Sequence, residues 1–267
     1  MKKSDCYTFY QGNSPLLVSI PHDGRALPTE ISKLMTSNAL SLPDTDWNVS
    51  CLYQFCKEID ASMIIAKYSR YVVDLNRNDT DKSLYKKKIT TGVCPSNSFD
   101  GNYLYKDSKT INAIEKQQRI KLYWMPYHNK IKSCLKNIKN HFGYALLWDA
   151  HSIRSEIPSL FPGKLPDLNI GSNDQKSCSI YAQNAVISTA KNSPYSVAVN
   201  DRFKGGYITR YYGIPEKNQH AIQLELAQSC YMDEHTMDYD IIRAEKLVNT
   251  LRKMLLTFAN SIDEKCC

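Results

Sequence analysis

Apolar segments of two lengths alternate along this chain of 267 residues, and the alternation limits its fold more than any other feature. Short apolar runs predict buried strands, and longer segments with apolar residues three or four positions apart predict helices. The predicted strands cover 16–20, 62–66, 70–75, 144–149 and 221–228. The predicted helices cover 49–59, 109–141 with a break or kink near Pro126, 176–191 and 238–260. The segments 79–107 and 155–174 are polar or rich in glycine and proline, so they predict loops.

The predicted strands are apolar on both sides, which is typical of a sheet with helices on both faces. We therefore predict an α/β fold with a mostly parallel or mixed sheet, in which ligands bind beyond the strand ends. The chain has no internal repeat and no low-complexity linker, so we expect a single domain over 1–267.

Charge and hydropathy argue against two classes of partner. The net charge of +7 comes from lysines spread along the chain, so it suits an anionic small substrate better than nucleic acid. No run approaches the roughly 18 apolar residues of a membrane span.

The segment "MKKSDCYTFYQG" lacks the apolar stretch of a signal peptide, and nine scattered cysteines without a CxxC pair suit a reducing compartment. We expect a cytoplasmic protein.

Polar clusters interrupt this apolar pattern at 21–24, 44–46, 74–77 and 149–152, where predicted strands end or helices begin. A further carboxylate, Glu225, lies inside a predicted strand. Together these residues meet the requirements of a zinc hydrolase. Such an enzyme needs two imidazoles and a carboxylate on the metal ion, an open position for water, and a separate carboxylate as base.

His22 and His151 are the predicted imidazole ligands, because both follow strands that could end at the same edge of the sheet. The other histidines occupy weaker contexts, at His128, His141, His220 and His235. Asp46 is the predicted carboxylate ligand. Asp44 is its alternative and could instead cap a helix, and Asp23 is adjacent to His22, which makes sharing one ion awkward.

Glu225 lies between two leucines of the strand, with its side chain on the opposite side. A carboxylate in an apolar strand is costly unless it is paired. It is therefore either a general base or the partner of a buried arginine.

Asn76 and Arg77 suit recognition of a carboxylate, because an arginine binds two oxygens at once and an amide adds a donor. Gly205 and Gly206 would let the backbone approach a ligand closely. Other cations could share this duty or be ordinary surface charges, namely Arg70, Arg202, Lys204 and Arg210.

Seven segments in sequence order resemble the N-formylglutamate amidohydrolase family over about residues 14–232: "SIPHDG", "DTDW", "SRYVVDLNRN", "DAHSI", "LFPGKLPDLNIGS", "DRFKGGYITRYYG" and "HAIQLELAQ". The resemblance implies a three-layer α/β/α fold with a mixed central sheet, of the zinc-exopeptidase (phosphorylase/hydrolase-like) type. It also implies hydrolysis of N-formyl-L-glutamate to formate and L-glutamate, the last step of one route of histidine breakdown.

The resemblance also implies residue roles. His22 and His151 correspond to the two histidine ligands of one Zn²⁺, Asn76–Arg77 to the pair that grips a substrate carboxylate, and Glu225 to the catalytic glutamate. In the wider fold an acidic ligand usually stands three residues after the first histidine. Arg25 occupies that position here, so Asp46 is expected to substitute.

Two further roles complete the hypothesis. We expect Arg70, or else Arg77, to stabilise the oxyanion, and Asp149 to orient His151. Ser152 beside His151 lacks the glycines of a nucleophile elbow, so serine chemistry is not expected. The alternatives are a related zinc hydrolase acting on another N-acyl amino acid or a peptidoglycan amide, and a non-catalytic anion-binding protein.

Overall fold

The computed structural model describes residues 6–81, 92–108 and 110–262. Within these residues the strands are Tyr7–Tyr10 (β1), Leu16–Ile20 (β2), Ser62–Ala66 (β3), Ala145–Ile153 (β4), Leu168–Gly171 (β5), Val197–Val199 (β6) and Gln219–Ala227 (β7). The α-helices are Thr29–Ser32 (α1), Ser37–Leu40 (α2), Val49–Leu52 (α3), Ala113–Arg119 (α4), Met125–Phe142 (α5), Ile180–Lys191 (α6), Tyr207–Tyr212 (α7) and Ile241–Ala259 (α8). Short 3₁₀ turns cover Gln54–Lys57, Lys106–Ser108, Pro215–Lys217 and Gln228–Cys230.

The strands form one mixed sheet in the order β1-β3-β2-β4-β7-β5-β6. The central strands β3, β2, β4 and β7 are parallel to their neighbours among these four. β1 is antiparallel to β3 and β5 is antiparallel to β7, while β6 runs parallel to β5. The predicted mixed sheet is confirmed, and parallel central strands bring several carboxyl ends to one edge.

Helices cover both faces of this sheet, as the fully buried strands require. On one face Leu146, Trp148 and Ala150 of β4 join a core with α3, α6 and α8. On the other face Ala145 and Leu147 join a core with α1, α2, α5 and α7. Since side chains alternate along a strand, Asp149 and His151 lie on the second face.

A π turn, Ile120–Trp124, joins α4 to α5 just before Pro126. Proline has no N–H, so it cannot donate to the carbonyl four residues earlier. That carbonyl, of Leu122, accepts a hydrogen bond from Cys6 Sγ at 2.9 Å. The predicted helix continues through Pro126 without a gap, and the irregularity expected there takes the form of this wider turn.

Several predicted elements differ from the structure. The predicted strand 70–75 is wrong: Val72 N donates to Ser69 O at 2.9 Å, so the buried apolar run is a turn. β4 continues to Ile153, so Asp149 and His151 lie within a strand and do not follow it. The helix expected over 49–59 is α3 followed by a 3₁₀ turn. The strands β1, β5 and β6 and the helix α7 were not predicted.

The predicted loop 79–107 is irregular over the parts that the structure describes, but its residues 82–91 lie outside them. The N-terminal residues 1–5 and the terminal cysteines also lie outside the described residues. Among the helices that are described, none is both long and apolar enough to span a bilayer.

Candidate active site

His22, Asp46 and His151 converge at one point on the sheet, and each is buried. His22 lies two residues beyond β2, and Asp46 lies in the turn before α3, where its N–H donates to His22 O at 3.1 Å. One candidate ligand atom from each residue lies within 4.8 Å of the other two. Asp46 Oδ2 lies 2.9 Å from His151 Nδ1 and 3.8 Å from His22 Nδ1. The three predicted metal ligands are therefore together in space.

The second nitrogen of each imidazole contacts a further carboxylate. His22 Nε2 donates to Asp74 Oδ1 at 2.8 Å, so its Nδ1 keeps a lone pair facing Asp46. His151 Nε2 lies 3.2 Å from Asp149 Oδ2. A carboxylate on the outer nitrogen orients the ring of a metal-binding histidine. Both rings therefore have the support expected of metal ligands.

The donor set fits a divalent cation. Two imidazoles and one carboxylate are the protein ligands of several catalytic zinc sites, which leave a fourth position open. Asp46 is the carboxylate of this cluster, whereas Asp44 Oδ2 accepts hydrogen bonds from Tyr71 Oη at 2.7 Å and Phe99 N at 2.8 Å. Asp44 thus ties two loops together outside the cluster.

Asp23 also has a structural partner set. Its carboxylate accepts from the backbone N–H groups of Asn48 and Ser50 at 3.0 and 2.9 Å, at the start of α3. Arg25 is half exposed and lies over the Trp47 ring, 4.4 Å from its centroid. Neither residue belongs to the metal-ligand cluster.

The charges of the cluster suit a cation. Burial favours the neutral form of Asp46, but the hydrogen bond from His151 and the charges of His151 and Arg70 outweigh it and lower the pKa of Asp46. Burial acts likewise on Asp74, yet the charge of Arg70 and the hydrogen bond from His22 hold its pKa well below the ordinary value. Both carboxylates are therefore ionised at neutral pH.

The two histidines differ in their electrostatics. Burial, together with the charge of Arg70, lowers the pKa of His22. Burial opposes the charged form of His151 as well, but the carboxylates of Asp149 and Asp46 outweigh it and raise the pKa of His151 well above its ordinary value. In the protein without metal, His151 is therefore the ring that carries the extra proton.

Glu225 lies beside His151, because the two residues are direct neighbours in the register of β7 and β4. Its side chain is buried, and Oε2 accepts from Gln223 Nε2 at 3.3 Å. Burial, reinforced by the negative charge of Asp46, raises the pKa of Glu225 to about 8. Among the described residues no cation lies within 4 Å of its carboxylate, so the alternative of a buried ion pair with arginine finds no partner there.

Asn76 is packed into the same cluster. Its Nδ2 lies 2.9 Å from His151 Nε2, and its Oδ1 accepts from Ile208 N at 2.8 Å. A Cβ at Gly206 would lie only 2.3 Å from Asn76 Nδ2, so position 206 needs a glycine for close packing against this amide. The charge of Arg77 acts on the neighbouring Asp74.

Arg70 is buried between two carboxylates. Its Nη2 donates to Asp74 Oδ2 at 2.8 Å, and its Nη1 lies 3.6 Å from Asp46 Oδ1. The guanidinium also lies over the Phe99 ring, 4.7 Å from the centroid. It is a fixed positive charge next to the metal-ligand cluster.

The remaining predicted substrate residues already have protein partners. Arg210 donates to Gly205 O at 2.7 Å and to Asn173 Oδ1 at 2.6 Å. Arg202 donates to Leu160 O at 2.9 Å. Gly205 has a φ of 104°, which favours glycine. Their roles in substrate binding stay predictions.

Comparison with known proteins identifies the family. The profile of the N-formylglutamate amidohydrolase family matches residues 14–232, which is most of the chain. The chain belongs to this family. It is 47% identical over 228 residues to an N-formylglutamate deformylase of Pseudomonas putida, covering 85% of each chain. It is 46% identical over 251 residues to an N-formylglutamate deformylase of Pseudomonas aeruginosa, covering 93% of this chain and 94% of that one.

Solved structures agree on the fold. The crystal structure of an N-formylglutamate amidohydrolase from Ralstonia eutropha JMP134 superposes with a TM-score of 0.82 at 22% identity, covering 94% of this chain and 97% of that one. A protein from Agrobacterium tumefaciens gives a TM-score of 0.72 at 15% identity, with 96% of each chain covered. The α/β fold of the N-formylglutamate amidohydrolase family is therefore shared by proteins of low sequence identity.

No role was predicted for Asp74, although it is the hydrogen-bond partner of His22 and Arg70. Its position directly after the apolar run 70–73 was a usable sequence signal, because a buried carboxylate needs a partner. Thr209 was also missed: its hydroxyl donates to Asp149 Oδ2 at 3.2 Å. Nothing in the local sequence pairs it with residues sixty positions earlier.

Proposed function

We propose that this chain is a metal-dependent amidohydrolase that cleaves N-formyl-L-glutamate to formate and L-glutamate, a reaction of histidine degradation. The observation that carries the proposal is the buried cluster of His22, Asp46 and His151 beside Glu225. The identity of 46–47% to two N-formylglutamate deformylases supports the substrate.

His22, Asp46 and His151 would hold one divalent cation, for which we propose Zn²⁺ because zinc favours imidazole and carboxylate ligands in an open site. When bound, such a cation supplies Lewis acidity, which polarises a carbonyl oxygen and lowers the pKa of water.

Glu225 is the proposed general base and acid. It takes a proton from the water that attacks the formyl carbon and returns one to the leaving α-nitrogen. Burial raises the pKa of Glu225 to about 8 in the protein without metal, and the charge of a bound cation would lower it towards the working pH, where a proton shuttle is most effective. Arg70 is proposed to stabilise the oxyanion by its fixed charge, since it is already held by Asp74 and needs no reorganisation.

The substrate would be recognised mainly through its carboxylates, because the formyl group is small. Asn76 and Arg77 are proposed to bind one of them, with Arg202 and Arg210 as candidates for the other. Gly205 and Gly206 set the backbone around this region, and Asp149 is proposed to orient His151.

The test is a formate-release assay on N-formyl-L-glutamate with purified, zinc-supplemented protein. We expect turnover that chelation abolishes and zinc restores. A panel of other N-acyl amino acids and a peptidoglycan amide tests the related-hydrolase alternative. No turnover on any of these, with no metal bound, would contradict the proposal and favour an anion-binding protein.

Three further proposals concern the setting of the enzyme. A single domain over 1–267 is supported by one sheet that gathers the seven described strands. A cytoplasmic location rests on the sequence. A small anionic acyl-amino acid as the partner, in place of nucleic acid or a membrane, is supported by Arg70 and Arg77 at the site.

A further inference from the structure

Two aromatic side chains outside the cluster of His22, Asp46 and His151 donate hydrogen bonds to the backbone at 75–77. This segment carries both proposed carboxylate-binding residues. His128 Nε2 donates to Leu75 O at 2.9 Å, and Trp124 Nε1 donates to Arg77 O at 2.9 Å. These carbonyls lie on either side of residue 76. The two donors therefore fix where the segment lies relative to the sheet.

The two donors are themselves held rigidly. Trp124 ends the π turn before α5, and its ring stacks on His128 with centroids 3.8 Å apart. His128 Nδ1 accepts from Tyr212 Oη at 2.9 Å. Burial lowers the pKa of His128 to about 3, so the ring stays neutral and its single N–H points at Leu75. π turns occur frequently at functional sites.

The third carbonyl of the segment completes the arrangement. Asn76 O accepts from Tyr207 N at 3.3 Å, and Asn76 Oδ1 accepts from Ile208 N at 2.8 Å. The start of α7 thus binds the amide side chain from one side, while the π turn and α5 bind the backbone from the other.

We propose that Trp124 and His128 are positioning residues for substrate binding, which place Asn76 and Arg77 through the carbonyl groups of 75 and 77. The inference rests on the proposed function, in which Asn76 and Arg77 bind a substrate carboxylate. Neither aromatic residue is among the three candidate metal ligands, and the hydrogen bonds described for their rings go to Arg77, Tyr212 and Leu75. Loss of either donor should therefore weaken substrate binding more than it slows turnover.

The first test compares Trp124→Phe with Trp148→Phe. Each variant loses one buried indole N–H donor, since Trp148 Nε1 donates to Tyr53 Oη at 2.9 Å on the opposite face of the sheet. We expect Trp124→Phe to raise KM for N-formyl-L-glutamate about fivefold to tenfold, which corresponds to the free energy of one lost hydrogen bond. Its kcat should stay within about twofold of wild type. Trp148→Phe should leave KM unchanged.

The second test uses His128. His128→Gln places an amide nitrogen at about the reach of Nε2 and keeps a donor for Leu75 O, whereas His128→Met fills similar space without a donor. We expect His128→Met to raise KM as Trp124→Phe does, and His128→Gln to restore most of the loss. Thermal melting checks that each variant folds. If His128→Met does not fold, Trp124→Phe still tests the proposal.

Binding of L-glutamate, measured by calorimetry, separates this inference from the proposed function because it requires no turnover. We expect the dissociation constant to rise about fivefold to tenfold in Trp124→Phe and to stay unchanged in Trp148→Phe. Failure of wild-type protein to release formate would refute the substrate assignment alone. KM and L-glutamate affinity within about twofold of wild type in both Trp124→Phe and His128→Met would overturn the positioning role, as would an equal rise in Trp148→Phe.

Discussion

Replacement of Glu225 by glutamine removes the proposed proton acceptor while keeping the shape of the side chain. Glu225 is buried beside His151 in the register of β7 and β4, and it is not among the three candidate metal ligands. A positioned general acid–base group contributes about 10²-fold to 10⁴-fold to the rate. At about 1.4 kcal/mol for each factor of ten, this equals roughly 3–5 kcal/mol of transition-state stabilisation. We therefore expect kcat of Glu225→Gln to fall by at least about a hundredfold.

The fold should tolerate this change. Because burial raises the pKa of Glu225 to about 8, its carboxyl group is mostly protonated at neutral pH in the metal-free protein. Glutamine is then close to isosteric and equally neutral. A loss of activity without a fall in melting temperature would assign the effect to proton transfer.

Formate release and metal content are the two assays for this variant. We expect Glu225→Gln to bind as much metal as wild type while losing turnover. Glu58→Gln is the control, because Glu58 is exposed, pairs with Arg252 and lies outside the site; its activity should match wild type. A fully metallated Glu225→Gln enzyme with kcat within tenfold of wild type would refute the role of Glu225.

Three other predictions concern the residues around the cluster. Asp74→Asn removes the charge behind His22, so we expect metal affinity to fall about tenfold to a hundredfold by competition titration; unchanged affinity would remove Asp74 from the metal site. Gly206→Ala places a methyl group against the Asn76 amide, so KM should rise while metal content stays the same; an unaltered KM would show that the packing does not matter. In metal-free protein, Glu225 has its ordinary pKa of 4.5 in the unfolded state and a pKa of about 8 in the folded state. Wild type should therefore lose stability relative to Glu225→Gln as pH rises between these values, and parallel urea-denaturation profiles of the two proteins would contradict the raised pKa.

The central strands of the fold were predictable from their short apolar runs. The bounds of β2 and β3 match the predicted 16–20 and 62–66. The run 70–75 misled for a physical reason: it is equally apolar and equally buried, but it turns so that Arg70 and Asp74 face the cluster. The strands β1, β5 and β6 are short and lie at or next to the two edges of the sheet, and propensity alone does not reveal pairing that the rest of the sheet imposes.

The site was predictable where a polar residue interrupts an apolar strand. Glu225 stood out in this way, and His151 stood out as a polar residue just after a predicted strand; the register of β4 and β7 makes them neighbours. The choice between Asp44 and Asp46 was not decided by sequence, because both precede the same helix and only the path of the turn separates them. The partners of His128, Leu75 and Tyr212, could not be predicted from the sequence, because they lie 53 and 84 positions away in the chain.

Zinc titration of the metal-free protein tests the central claim most directly, with Asp46→Asn compared against Asp44→Asn. We expect one ion per chain in wild type and in Asp44→Asn, because the Asp44 carboxylate binds Tyr71 and Phe99 instead of the cluster. We expect Asp46→Asn to lose more than about a hundredfold in affinity, a larger loss than removal of an outer partner causes. Equal zinc binding by the two variants, or no zinc binding by wild type, would contradict a metal centre built on His22, Asp46 and His151.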